Sequence, residues 1–177
     1  MAKEFVINDN VIEERTAQKI EEMGQELFSK SGVRVYLIAK QNGGGENIIA
    51  FEKEFSKTLQ TPYALLTFFL QDQKVDIYYS AGLEKEFDKE AMLSPLPWQG
   101  TIIPLLTEKK KEVSASAALL NGYADLVEQI AASRKITLQS AIGSSNKTTL
   151  MVIKIGVYGF VLVLLLIVLY RRIKKRD

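Results

Sequence analysis

The segment ALLTFFLQDQKVDIYYS, residues 64–80, decides the class of fold. Its first seven residues are almost all apolar, which predicts a strand that is buried on both faces. The next three residues, Gln-Asp-Gln, are predicted to form a turn. KVDIYYS, residues 74–80, alternates in character as a half-buried strand does. The segment therefore predicts a β-hairpin within a small sheet.

Outward from this hairpin, the pattern predicts helices and one further strand. VRVYLIA, residues 33–39, is rich in β-branched and aromatic residues and predicts an interior strand. Residues 12–29 and 47–59 carry apolar side chains at helical spacing and predict amphipathic helices. Residues 5–7 are interpreted as a short apolar lead-in to the first of these. Further helices are predicted over residues 83–93, 101–112 and 113–133. The order of elements predicts an α/β domain over residues 1–133, in which helices sandwich a small mixed sheet.

A long apolar segment near the C-terminus predicts one transmembrane helix. IGVYGFVLVLLLIVLY, residues 155–170, has no charged residue and would cover about 24 Å as a helix. Extension to residue 151 gives about 30 Å, the thickness of a hydrocarbon core. We therefore expect a transmembrane helix over residues 151–170, after a polar linker over 134–150 and before a basic tail over 171–177. The residues assigned to the anchor are Met151, Lys154, Tyr170, Arg171 and Arg172.

Composition excludes much of common enzymology. The chain has no cysteine and no histidine, so thiolate nucleophiles, zinc sites built on these residues and histidine-based triads are absent. Its 23 basic and 21 acidic residues nearly balance, and we expect no nucleic-acid partner. No catalytic residue is assigned, and we expect a binding module rather than an enzyme.

The remaining chemistry would depend on oxygen ligands. The candidate metal ligands are Asp9, Asp72, Asp76 and Glu84. Clustered carboxylates hold Ca²⁺ or Mg²⁺, but no EF-hand spacing is present and surface carboxylates are common. We therefore expect no cofactor, with calcium or magnesium binding kept as the alternative.

The segment SPLPWQG, residues 94–100, is the candidate partner-binding loop. It contains the single tryptophan of the chain, Trp98, beside Pro95 and Pro97. Trp98 either caps the core or serves as an interface anchor. An aromatic side chain on a stiff loop suits the second role, because little conformational entropy is lost on binding.

Several local sequences together resemble the TPM domain family, over residues 5 to about 132. They are FVINDNVI at 5–12, SGVRVYL at 31–37, the hairpin at 65–79, SAGLE at 80–84, and a late helix with Gly122 and Tyr123. A transmembrane helix after the domain also fits the bacterial arrangement of this family. Members often carry Asp-Asn-Gly before the second strand, where this chain has Pro62, Tyr63 and Ala64. The family's acidic residues linked to calcium or phosphatase chemistry are thus not clearly reproduced.

The resemblance implies work on membrane complexes, since TPM domains are associated with plant thylakoid proteins, photosystem repair and bacterial membrane proteins. We therefore expect a membrane-tethered accessory or chaperone-like module that binds other membrane proteins and the lipid bilayer. It would support the assembly, stability or turnover of a membrane complex. The alternative is a carboxylate- or metal-dependent phosphatase of the TPM type.

Orientation in the membrane is left open by the sequence. The location expected is the bacterial inner membrane, crossed once. With no signal peptide evident before the domain, we expect the domain in the cytoplasm. The basic tail instead favours a cytoplasmic C-terminus, which would place the domain in the periplasm.

Overall fold

The computed structural model describes residues 4–107 and 115–142. In this part of the chain, four strands and five helices follow one another. They are β1 (Val6–Asn8), α1 (Glu14–Ser31), β2 (Arg34–Lys40), α2 (Ile48–Ser56), β3 (Tyr63–Phe69), β4 (Lys74–Tyr79), α3 (Lys89–Met92), α4 (Ile103–Thr107) and α5 (Ala115–Ser133). The α/β class and the small mixed sheet predicted from the sequence are confirmed.

The sheet has four strands in the order β1-β2-β3-β4. β1, β2 and β3 run parallel, whereas β4 pairs antiparallel with β3. Ala64 lies opposite Tyr79 and Phe69 opposite Lys74, so the predicted hairpin is confirmed. Every residue of β3 is buried, as its continuous apolar sequence predicts.

Helices cover both faces of the sheet. α1 and α5 pack on one face, around a core that includes Leu37, Leu66 and Ile77. On the other face, Phe51 and Phe55 of α2 pack against a smaller cluster, made by Ile38, Tyr63 and Leu65. β1, β2 and β3 lie side by side in chain order while α1 and α2 lie on opposite faces. The β1-α1-β2 and β2-α2-β3 crossovers therefore have opposite handedness, although nearly all crossovers between parallel strands are right-handed.

Two predicted elements are wrong, and a third begins later than predicted. Residues 5–7 are not a lead-in to a helix, since Val6–Asn8 form β1 at the edge of the sheet. The helix predicted over 83–93 is limited to Lys89–Met92, and turns occupy the residues before it. The helix predicted over 101–112 is present at Ile103–Thr107, so it begins two residues later than predicted, and residues 108–112 lie outside the described part of the chain.

The predicted linker begins with a segment that packs against the domain. Leu138 is buried, and Glu26 of α1 accepts hydrogen bonds from the main-chain N–H groups of Gln139 and Ser140, both at 2.8 Å. The compact unit that contains the sheet extends to Ile142. Residues 134–142 therefore lie along α1.

Across residues 4–107 and 115–142, none of the helices is long and apolar enough to span a membrane. The transmembrane helix predicted over 151–170 lies outside the described residues. The same holds for the residues assigned to the anchor, which are Met151, Lys154, Tyr170, Arg171 and Arg172.

Candidate functional site

The loop of residues 94–100 is closed on itself by main-chain contacts. The N–H of Gly100 donates to the oxygen of Leu96 at 2.8 Å, and the N–H of Thr101 donates to the oxygen of Met92 at 3.2 Å. A methyl group at Gly100 would overlap the main-chain oxygen of Ser94. Only glycine permits this close approach, which holds the two ends of the loop together.

The closed loop presents apolar side chains to solvent. Trp98 is 81% exposed and Leu96 is 41% exposed, and Pro95 and Pro97 are exposed beside them. Trp98 therefore does not cap the core. An exposed tryptophan of this size is unusual, because burial of a large aromatic side chain is favourable by about 2 kcal/mol or more.

Contacts with two other elements hold α3, and so the base of the loop, in place. The Lys89 ammonium lies 2.7 Å from an Asp76 carboxylate oxygen on β4. The N–H of Asp88 donates to the side-chain oxygen of Gln129 on α5 at 2.9 Å. The Asp88 side chain also accepts from the N–H of Ala91, which caps α3. These contacts fix α3, and so the base of the loop, against the sheet and α5.

Two of the four candidate metal ligands lie at the carboxyl edge of the parallel strands. Asp9 follows β1, and its carboxylate is 3.4 Å from the N–H of Gln41, which follows β2. Asp72 follows β3, and its carboxylate accepts from the N–H of Gly43 at 2.8 Å. Gln41 lies between them, so the main chains at Asp9 and Asp72 are about two strand spacings, roughly 10 Å, apart.

The other two candidates lie elsewhere. Asp76 points from β4 toward α2 and is paired with Lys89. Glu84 follows β4 at the opposite edge of the sheet, about 20 Å from the hairpin turn, and accepts from the N–H of Gly82 at 2.9 Å. The four carboxylates therefore do not meet. Within the described ranges, no group of three or more acidic residues is arranged to hold a metal ion.

Glu52 is a buried carboxyl group that was not identified from the sequence. Glu52 is on the face of α2 toward the sheet and is fully buried, as is Thr67 of β3. Neither carboxyl oxygen of Glu52 accepts a well-formed hydrogen bond in the described part of the chain, although the Thr67 hydroxyl and the Asp76 carboxylate lie beside it. Glu52 lies four residues after Ile48 and three before Phe55, on the apolar stripe of α2. This position was the signal in the sequence that the side chain faces the sheet.

The pKa of Glu52 is raised to about 8, mainly because burial disfavours the ionised form. The Thr67 hydroxyl opposes this rise. The Asp76 carboxylate adds to it, both by its negative charge and by accepting a hydrogen bond from the protonated form, and Lys89 opposes it. Glu52 is therefore protonated at neutral pH, and the only ion pair near it joins Asp76 to Lys89 among the residues described.

Comparisons with known proteins do not assign this chain to a family. A scan against protein-family models and a search of the curated proteins each gave no match. The described geometry defines a class of protein: a small α/β domain with a closed loop that exposes a tryptophan. The TPM resemblance stays a prediction, and the function has to be argued from the site.

Proposed function

We propose that this chain is a membrane-tethered accessory module of the TPM type, which binds other membrane proteins through the loop of residues 94–100. It would support the assembly, stability or turnover of a membrane complex. The observation that carries the proposal is the 81% exposure of Trp98 on a loop closed by hydrogen bonds. Fold and resemblance set the context, and this loop supplies the contact surface.

A fixed, exposed tryptophan suits a protein interface for two reasons. Tryptophan is among the side chains enriched at the energetic centres of interfaces, where truncation costs about 2 kcal/mol or more. The closed loop and its two prolines leave little conformational entropy to lose on binding. Leu96, 41% exposed in the same loop, adds apolar area next to Trp98.

The tether would make modest affinity sufficient. A helix over residues 151–170 would hold the domain at the bacterial inner membrane, where partners reach an effective concentration far above that in solution. The domain would lie on the cytoplasmic side, with the periplasmic side as the alternative. Protease protection of the domain in inner-membrane vesicles of known orientation distinguishes the two.

Site-specific photo-crosslinking tests the proposed interface. A photoreactive phenylalanine analogue replaces Trp98 in the full chain, and the matched control replaces Ile49, a 47% exposed side chain on α2. After irradiation of intact membranes, we expect discrete adducts with integral membrane proteins from position 98 and not from position 49. Adducts with lipid alone, or the same adducts from both positions, would contradict the proposal.

One observation keeps the phosphatase as a second candidate. Asp9 and Asp72 share the carboxyl edge of the sheet, where open α/β sheets bind ligands. The described geometry gives the four candidate carboxylates no common site, so this function would depend on the edge pair. Hydrolysis of a generic phosphate ester by the purified chain, lost in both Asp9→Asn and Asp72→Asn, would support it. No hydrolysis with added Ca²⁺ or Mg²⁺ would exclude it.

A further inference from the structure

We propose that α2 is a proton-controlled cover of the sheet, docked while Glu52 carries a proton and released more easily as that proton is lost. The inference goes beyond the proposed function and does not depend on it. It concerns the face of the sheet opposite α1 and α5.

Glu52 is enclosed by the docking of α2. It sits near the middle of this nine-residue helix, is 0% exposed, and accepts no well-formed hydrogen bond at either oxygen among the described residues. In its protonated form it can donate to the Asp76 carboxylate. An ionised carboxylate in such a place is far costlier than a neutral carboxyl group. Docking of α2 with an ionised Glu52 is therefore much less favourable than docking with a protonated Glu52.

Charged and titratable groups approach Glu52 from each element packed on this face, but none forms an ion pair with it in the described ranges. Asp76 of β4 is the charged group with the largest effect on the pKa of Glu52 and is already paired with Lys89 of α3 at 2.7 Å. Lys40 of β2 lies over the ring of Phe51, 4.9 Å from its centroid. The other titratable or charged side chains of the sheet on this face are Arg34, Tyr36, Tyr63, Lys74 and Tyr78.

α2 is built to open locally. Its contacts with the sheet are side-chain contacts, chiefly of Phe51 and Phe55. The main-chain hydrogen bonds of β2 and β3 are made within the sheet and do not involve α2. Gly44 and Gly45, both with positive φ, precede the helix and allow the chain to change direction there. Release of α2 would thus leave the sheet and the opposite core intact.

The pH range follows from linkage. With α2 released, Glu52 is in water with its ordinary pKa of 4.5, whereas with α2 docked its pKa is about 8. Below 4.5 both forms are protonated and pH has no effect. Between the two values, release is accompanied by loss of a proton and becomes up to about tenfold more favourable for each pH unit. Above 8 both forms are ionised and the effect levels off.

Hydrogen exchange of the full chain in detergent micelles tests the proposal. Protection of the amides of Phe51–Ser56, corrected for intrinsic exchange, is measured from pH 5 to 9 in wild type, Glu52→Gln and Glu54→Gln. Glu54 is the matched control, an exposed acid on the same helix that pairs with Lys57. We expect protection to fall with pH in wild type and Glu54→Gln, level off near pH 8, and stay flat in Glu52→Gln.

Amides of α5 report on global unfolding in the same samples. Their protection should not change with pH as that of α2 does. Equal pH dependence in α2 and α5 would overturn local release, and the same slope in Glu52→Gln as in wild type would overturn the role of Glu52. A wild-type chain whose α2 protection does not depend on pH would overturn the proposal altogether.

Discussion

Replacement of Glu26 by glutamine should loosen the segment that leads from the domain toward the predicted membrane span. The Glu26 carboxylate accepts hydrogen bonds from the main-chain N–H groups of Gln139 and Ser140, from the Ser140 hydroxyl, and from Lys30 at 2.6 Å. Lys30 also donates to the main-chain oxygen of Thr137 at 2.9 Å. One carboxylate thus fixes the course of residues 137–140 along α1.

The magnitude follows from the pKa of Glu26. Burial opposes its ionisation, but the hydrogen bonds from Lys30, Ser140 and Gln139 outweigh burial and lower the pKa from 4.5 to about 2. At about 1.36 kcal/mol per pH unit, a difference of that size corresponds to at most about 3.4 kcal/mol. The side chain is 16% exposed, so solvent screens part of this. We expect Glu26→Gln to lower the free energy of unfolding at pH 7 by about 1–2 kcal/mol.

Denaturant unfolding of the full chain in a mild detergent measures this loss. Because the folded-state pKa is depressed, the stabilisation is fully present above pH 4.5 and is lost as the pH falls toward 2. The difference between wild type and Glu26→Gln should therefore shrink over that range. Glu22→Gln is the control, an exposed acid on α1 that pairs with Lys19, and should cost less than about 0.5 kcal/mol. A Glu26→Gln loss no larger than that of the control, or one independent of pH, would refute the reasoning.

Three other substitutions test the packing of the core and of the loop. Tyr123→Phe should cost about 1–2 kcal/mol of unfolding free energy, because the buried Tyr123 hydroxyl donates to the main-chain oxygen of Val35 at 2.7 Å. A methyl group at Gly24 would lie 2.5 Å from that hydroxyl oxygen, so Gly24→Ala should destabilise wild type more than it destabilises Tyr123→Phe in a double-mutant cycle. Gly100→Ala should open the loop, since its methyl group would overlap the main-chain oxygen of Ser94. The yield of crosslinks from the photoreactive analogue at position 98 should then fall. The unfolding free energy of the domain should fall by less than about 2 kcal/mol.

The strands of the sheet were predictable where the local sequence of a strand shows how its two faces are buried. β3 is apolar throughout because both of its faces are covered, and β4 alternates because one of its faces is less buried. β1 has only three residues, too few to show a period, and its identity as a strand depends on pairing with β2, 31 positions along the chain at Val6 and Leu37. Such a partner is not visible in a local pattern.

The site was predictable only in part. The proline-flanked Trp98 marked the loop, but its exposure depends on Gly100 meeting Ser94, a contact set by the fold. Residues 83–88 have helix-like composition, yet they form turns in which Glu86 pairs with Arg134 of the segment after α5. Glu52 sits in an otherwise apolar stripe, which indicates a position facing the sheet, but the sequence does not show that the carboxyl group stays buried there instead of reaching solvent.

Membrane extraction of the full chain tests the central claim most directly. Membranes containing the full chain are washed with alkaline carbonate beside membranes from cells that express residues 1–150. We expect the full chain to stay in the membrane pellet and the shorter chain to appear in the soluble fraction, since residues 151–170 would then be the sole anchor. Recovery of the full chain in the soluble fraction after lysis and ultracentrifugation without detergent would contradict the tethered module.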